Sequence, residues 1–344
     1  MKVLIVGAGA IGSLLGNRLA QAGHEVTLVG RPGYVNAVRE RGVGLDEAGR
    51  RVYVKSVRAV THVAEVAAEP FDLIAFTMKA YDTAAAAAQV QPLARQGIPI
   101  LIPQNGVGSE EVVAQVLGEA TILSAVITLA VETLEPGLVR LSTARGGIGL
   151  APTTPGQSVS PLAEALREAG FKVALYPHHR AMKWSKLLLN ILGNASSAIL
   201  DLPPDLVFAH RRLFALERAA FCEARAVMHA LGLRPVSLPG YPVPLLAWGI
   251  CSLPIWLLRP IFQRTIVRGR GGKMPSLHLD MTRGRRRSEV EFLNGAVVRQ
   301  ARGLGMDVPA NEALYSTLMG IVRGEIPWEG HRGRPERLLA AAGR

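Results

Sequence analysis

The first half of the chain alternates short apolar runs with longer stretches of helical character. Lys2–Val6 and Glu25–Val29 read as strands, with a helix over Ala10–Ala22 between them. Apolar runs recur at Phe71–Thr77 and Ile98–Pro103, and each is followed by a helical stretch, Tyr81–Arg95 and Ser109–Leu117. Strands alternating with helices of this length predict parallel βαβ units. From Thr121 to Leu150 the pattern becomes strand-rich, with Glu135-Pro136-Gly137 as a turn signal, and a helix over Pro161–Ala169 and a strand over Lys172–Tyr176 complete this half.

Beyond Pro177 the pattern changes. Lys183–Leu200, Arg211–Leu231 and Glu289–Leu304 carry helical periodicity, so the second half is expected to be mainly α. The organisation expected is an α/β dinucleotide-binding domain of Rossmann type over 1–177, a helical substrate domain over 178–330 and a tail over 331–344. One stretch of the helical half stands apart. Val236–Phe262 is apolar, rich in Trp and Leu, and interrupted by Pro239, Pro242, Pro244, Pro254 and Pro260. A membrane span needs ~20 suitable residues in one helix, and the prolines and Arg259 argue against it. A lid, an oligomer contact and a surface-associating segment all fit this pattern.

At 344 residues, 49% of them hydrophobic, the chain is long enough for two buried cores. The first 20 residues lack the pattern of a signal peptide. The two cysteines, Cys222 and Cys251, imply no disulfide framework, so a reducing cytoplasm is expected. The net charge of +12 could suggest nucleic acid, but much of it is local: eight basic residues and one acid, Asp280, lie between Arg264 and Arg287. A solvated basic face or attraction of small anions accounts for such a segment. No aromatic-interleaved motif accompanies it, so nucleic-acid binding is not expected. No metal is expected, and a homodimer stays open.

Gly7-Ala8-Gly9-Ala10-Ile11-Gly12 follows a strand and opens a helix. In that context the first glycine permits a tight turn, the second lets backbone approach a diphosphate, and the third lets the helix pack on the sheet. The helix N-terminus then offers N–H groups and partial positive charge to the anion. Val29-Gly30-Arg31 ends the second strand where an NAD site usually has a carboxylate. An arginine there suits a 2′-phosphate, so NADP(H) is the expected cofactor, held by Gly7, Gly9, Ala10, Ile11, Gly12 and Arg31. Lys79 and Asn105 follow two further strands, where an open α/β sheet places its ligands.

In the helical half, Lys186, Asn190 and Asn194 fall at steps of four within a leucine-rich helix. That spacing makes a polar stripe, and burying an unpaired amide costs ~1–3 kcal/mol, so a bound substrate is one source of partners. An exposed stripe on a surface helix is the other reading. Ser276 and Asp280 are four apart, and Glu289 precedes Phe292-Leu293-Asn294-Gly295, where a carboxylate is commonly just a first-turn charge.

Taken together, these segments resemble the ketopantoate reductase (2-dehydropantoate 2-reductase) family. The resemblance rests on the glycine motif, Lys79 in Thr-Met-Lys-Ala-Tyr, Asn105 in Gln-Asn-Gly-Val-Gly, Lys186 with Asn190 and Asn194, Pro275-Ser276 through Asp280, and Ser288-Glu289 running into Asn294-Gly295. It implies a helical domain like that of 6-phosphogluconate dehydrogenase and NADPH-dependent reduction of 2-dehydropantoate to pantoate, a step of pantothenate biosynthesis. Lys186 would be the general acid and Glu289 its acidic partner. Asn190, Asn194 and Ser276 would bind substrate, Asn105 would touch both substrate and cofactor, and Lys79 would lie near the cofactor. The chain departs from the family in the greasy insert at 236–262 and in one extra residue between Asp280 and Glu289. A bulkier 2-oxo acid and a non-catalytic NADP-binding or membrane-surface protein are the competing readings.

Overall fold

A computed structural model describes residues 1–143, 145–270, 273–284 and 286–343, with only the helical backbone over 263–270. Arg285 and the side chains of Arg264, Arg268 and Arg270, part of the basic segment, lie outside the described residues. The chain divides into two compact units: Met1–Gln104 with Gly108–Lys183 and Leu238–Tyr241, and Asn105–Val107 with Trp184–Ser237 and Pro242–Arg344.

The first unit is an α/β domain. In chain order it contains β1 (Lys2–Val6), α1 (Ala10–Gln21), β2 (Glu25–Val29), α2 (Pro32–Arg41), β3 (Val43–Glu47), β4 (Arg50–Val54), β5 (Arg58–Val60), β6 (Leu73–Phe76), α3 (Thr83–Ala94), β7 (Ile100–Ile102), α4 (Ser109–Leu117), β8 (Ile122–Ile127), β9 (Val131–Glu135), β10 (Leu138–Leu141), β11 (Ile148–Pro152), α5 (Ser160–Glu168) and β12 (Val173–Leu175). Eight strands form one sheet in the order β12-β11-β8-β7-β6-β1-β2-β5. Its strands are parallel except for the antiparallel β8–β11 pair. β1 pairs in parallel with both β2 and β6, so the strand order reverses on either side of it. A crevice opens at the carboxyl end of such a strand. The alternation along β1 feeds both faces of the sheet. Val3 and Ile5 pack with Leu14, Leu15 and Leu19 of α1, while Leu4 and Val6 pack with Val90 and Leu93 of α3.

β1, β2, β6, β7, α1, α3, α4 and α5 follow the sequence reading within a few residues, whereas α2 and the edge strand β5 had no counterpart in it. The second sheet, β4-β3-β10-β9, shows more than the strand-rich segment near Thr121–Leu150 indicated. Its β3–β4 hairpin turns through Ala48 at φ 52° and Gly49 at φ 85°. Two successive positive φ angles match the twist of a two-residue hairpin.

The second unit is helical. It contains the end of α6 (His179–Ile191), then α7 (Asn194–Leu200), α8 (Pro204–Ala209), α9 (Arg211–Ala230), α10 (Val243–Ser252), α11 (Ile255–Arg270), α12 (Ser276–Thr282), α13 (Asn294–Gly303), α14 (Pro309–Arg323) and α15 (Pro335–Ala341). Three sequence expectations are corrected here. The single helix expected over Lys183–Leu200 is broken, because Gly193 takes φ 66° and its N–H donates to the buried carboxylate of Glu217. The helix expected from Glu289 begins at Asn294, after a 3-10 turn over Glu289–Phe292. Cys222 and Cys251 form a disulfide: α10 packs on α9 and brings their Cα atoms to 5.6 Å, within bridging distance. The apolar insert folds as α10 and α11, with Pro244 in the first turn of α10 and Pro260 inside α11. Among the described residues no helix is long and apolar enough to cross a membrane.

Asp201 closes α7 in the left-handed region at φ 54°. Its carboxylate lies 2.6 Å from His278 Nε2 and accepts from Arg332 at 2.6 Å. Burial alone would raise this carboxyl, but the hydrogen bonds from His278 and Arg332 outweigh it and hold the group below the ordinary carboxylate range. A depressed carboxylate stabilises the fold above its unfolded pKa of ~3.9 and loses that contribution as pH falls through the lower folded value. Asp201→Asn, which tolerates the left-handed backbone, is therefore expected to destabilise by about 1 kcal/mol at pH 7 and by less at pH 3. Urea denaturation at the two pH values reads the difference.

Candidate active site

The glycine turn after β1 is fixed by its backbone. Gly7 and Ala8 donate their N–H groups to Val29 O, and Thr77 Oγ1 donates to Gly7 O at 2.7 Å. At φ 104°, a Cβ on Gly7 would stand 2.3 Å from Met78 N, so no other residue fits. A Cβ on Gly12 would meet Gly7 O at 2.6 Å and Thr77 Oγ1 at 2.7 Å, which shows how closely α1 approaches the turn. Gly9 differs: it caps α1, and a Cβ there would meet nothing within 4 Å. Open space thus faces the start of α1, whose first turn has no acid and no side-chain cap. Ala10 and Ile11 are its first two residues, both half-buried. This arrangement fits a dinucleotide diphosphate, which needs bare backbone and unfilled helical N–H groups. Arg31 is exposed and caps α2, while Lys79 is half-buried and caps the 3-10 turn over Ala80–Asp82.

The same unit contains a buried polar cluster that the sequence reading missed. Lys183, with a side chain only 2% exposed, lies 3.0 Å from Glu110 Oε1. Its ammonium also donates to Ile102 O at 3.0 Å and Gln104 O at 2.8 Å. Glu110 accepts from Ser124 Oγ as well, at 2.6 Å. Gln104 is held in turn: its Nε2 donates to Met78 O and its Oε1 accepts from Thr83 Oγ1, both at 2.9 Å. The end of β7 is therefore clamped from two sides. Little in the sequence marks it: Lys183 stands between Met182 and Trp184, but Glu110 lies between Ser109 and Glu111.

In the second unit the structure gathers several of the singled-out residues. Asn190 Nδ2 donates to Asn105 Oδ1 at 3.1 Å, and Asn194 Nδ2 donates to Asn190 O at 3.1 Å. Asn194 Oδ1 accepts the N–H of Leu277, at the start of the helix that opens with the exposed Ser276. The loop bearing Asn105 is tied to the Glu289–Phe292 turn, since Val107 N donates to Phe292 O at 3.0 Å. Gly106, at φ 89°, has no room for a Cβ, which would fall 2.4 Å from Phe292 O. Glu289 is 5% exposed, and Lys186, one turn ahead of Asn190 on α6, is half-buried. Glu217, not singled out from sequence, positions this group by accepting Gly193 N–H and Ser196 Oγ at the α6–α7 break.

A parallel sheet that reverses its order at β1, with a glycine turn leading into α1, defines the dinucleotide-binding class of oxidoreductase domain. Comparisons narrow the class. The family model described as ketopantoate reductase PanE/ApbA matches residues 3–154, and its C-terminal counterpart matches residues 178–322. A 2-dehydropantoate 2-reductase of Halobacterium salinarum is 30% identical over 94% of this chain and 98% of its own length. One of Pyrococcus abyssi is 27% identical over 96% of this chain and all of its own. The crystal structure of a PanE/ApbA family ketopantoate reductase from Ralstonia eutropha JMP134 superimposes with a TM-score of 0.79 at 32% identity, covering 94% of this chain and 99% of that one. The chain belongs to the ketopantoate reductase family, whose members are oxidoreductases.

Proposed function

We propose that the chain reduces 2-dehydropantoate to pantoate with NADPH, a reaction of pantothenate biosynthesis, with Lys186 as general acid and Glu289 as its acidic partner. The observation that carries this reading is the amide chain Asn105–Asn190–Asn194 beside the buried Glu289 turn, with Asn190 one turn after Lys186 on α6. The amide and hydroxyl groups of Asn190, Asn194 and Ser276 bind the oxo acid, and Asn105 binds both it and the cofactor. Gly7, Gly9, Ala10, Ile11 and Gly12 hold the diphosphate, Lys79 lies beside the cofactor, and Arg31 takes the 2′-phosphate. When bound, the cofactor supplies a hydride to the ketone carbon. The Lys186 ammonium then stabilises charge on the ketone oxygen and delivers a proton to it, while Glu289 keeps the ammonium oriented. We retain a cytoplasmic setting because the reaction draws on NADPH; in that setting the Cys222–Cys251 bridge has to form against a reducing thiol pool.

The test follows NADPH absorbance with 2-dehydropantoate and with a panel of other 2-oxo acids. Turnover is expected to be fastest with 2-dehydropantoate; a faster bulkier acid would replace the substrate while keeping the chemistry, and a folded protein inactive on the whole panel would refute the reading. Arg31→Ala is expected to raise KM for NADPH by about 10–100-fold and to leave KM for NADH nearly unchanged, because a charge-assisted fork to phosphate is lost. Equal changes with both cofactors would remove Arg31 from the phosphate site.

A further inference from the structure

Four of the most exposed apolar side chains in the helical unit lie close together in sequence on α10 and α11. Leu245 is 64% exposed and Trp248 53% on α10, and Trp256 is 76% exposed and Ile261 51% on α11. A folded chain seldom leaves such a group in water unless the surface binds something. Both helices are nonetheless anchored. Val243, Ala247 and Ile250 bury the other face of α10, and Arg218 donates to the carbonyls of Ile250, Cys251 and Leu253. α11 packs Leu258 on Phe208 and Phe214, and Arg259 donates to Ala209 O. The exposed faces are therefore presented by a fixed base.

Charge selects the occupant. Between Glu223 and Asp280 the sequence contains no carboxylate and seven lysines and arginines. A second copy would bring the same cations against these, whereas an anionic surface would attract them. Beside α10 lies a cavity of about 330 Å³, lined by Arg225, His229 and Arg234 together with Pro244 and Ala247 of α10. Two arginines among the residues lining a small concave space suit a phosphodiester, which a guanidinium can bind bidentately. Tryptophan, apolar in body and polar at its N–H, favours the boundary between headgroups and acyl chains.

We propose that α10 and α11 dock the enzyme on the surface of an anionic phospholipid bilayer, with Leu245, Trp248, Trp256 and Ile261 entering the headgroup boundary and the Arg225–Arg234 cavity receiving a lipid phosphate. The helices lie on the bilayer rather than through it, since no described helix is long and apolar enough to span.

The test uses the full chain with vesicles of phosphatidylglycerol and phosphatidylcholine, and with vesicles of phosphatidylcholine alone, followed by co-sedimentation and tryptophan emission. Binding to the anionic vesicles only is expected, with a blue shift, and it should weaken about tenfold or more between ~50 and ~500 mM salt. Trp248→Glu with Trp256→Glu should lower vesicle binding about tenfold or more while turnover in solution stays unchanged. Arg225→Glu with Arg234→Glu should lower it with both tryptophans intact. Equal binding to both vesicle types, or binding to neither, would overturn the proposal. So would a solution dimer that dissociates in the tryptophan double variant and does not bind vesicles.

Discussion

Replacing Lys186 with alanine is expected to lower kcat on 2-dehydropantoate by about 100–10,000-fold, the range a positioned general acid contributes. The ammonium acts on charge that develops during reduction, so its loss falls mainly on kcat, with a smaller change in KM for the oxo acid. NADPH binding, followed by fluorescence titration, should stay within about threefold of the parent protein, since the residues proposed to hold the dinucleotide are elsewhere in the sequence. The pH profile supplies a second readout: the limb that reports the acid in the parent protein should vanish in the variant. A Lys186→Ala protein that binds NADPH normally and retains more than about a third of the parent kcat would remove the lysine from the chemistry.

The second large effect belongs to Lys183. Its ammonium is the common donor to Glu110, Ile102 O and Gln104 O. Lys183→Met leaves the buried Glu110 carboxylate with the Ser124 hydroxyl but without its ammonium, and removes a donor from two carbonyls. Breaking one side of such a pair costs about 3–5 kcal/mol. Replacing both charges, as Lys183→Met with Glu110→Leu, should recover most of that loss, because the desolvation penalty of the stranded carboxylate disappears. Thermal and urea denaturation of the two variants make the comparison. Similar stabilities for the single and double variants would show that Glu110 is not stranded when the lysine is lost.

Features that depend on neighbours along the chain were legible in the sequence. β1, β2, α1 and α4 announce themselves through local runs and the glycine turn, and each lies within a residue of its expected position. The features that were not legible depend on partners far away. The break at Gly193 requires Glu217 from another helix, and a lone glycine in a leucine-rich stretch does not reveal it. Lys183 reads as an ordinary helical lysine until Ile102, at the end of β7, and Gln104, just beyond it, supply carbonyls 81 and 79 residues earlier in the chain. The Cys222–Cys251 pair depends on α10 folding back along α9, and composition alone pointed the other way. The β3–β4 hairpin was accessible in principle, since Ala48-Gly49 occupies a two-residue turn, but its strands lack the apolar runs that marked the others.

The Glu217 anchor has a practical corollary for anyone recasting substrate choice. Asn194 begins a fresh helix, and the residue dictating where that helix starts sits on α9, which supplies none of the amide or hydroxyl groups assigned to the oxo acid. A library confined to the pocket-facing side chains would leave this hidden control untouched. Substitution at 217 or 196 removes a hydrogen bond that fixes where α7 begins, and so acts on Asn194 without changing any residue assigned to the oxo acid.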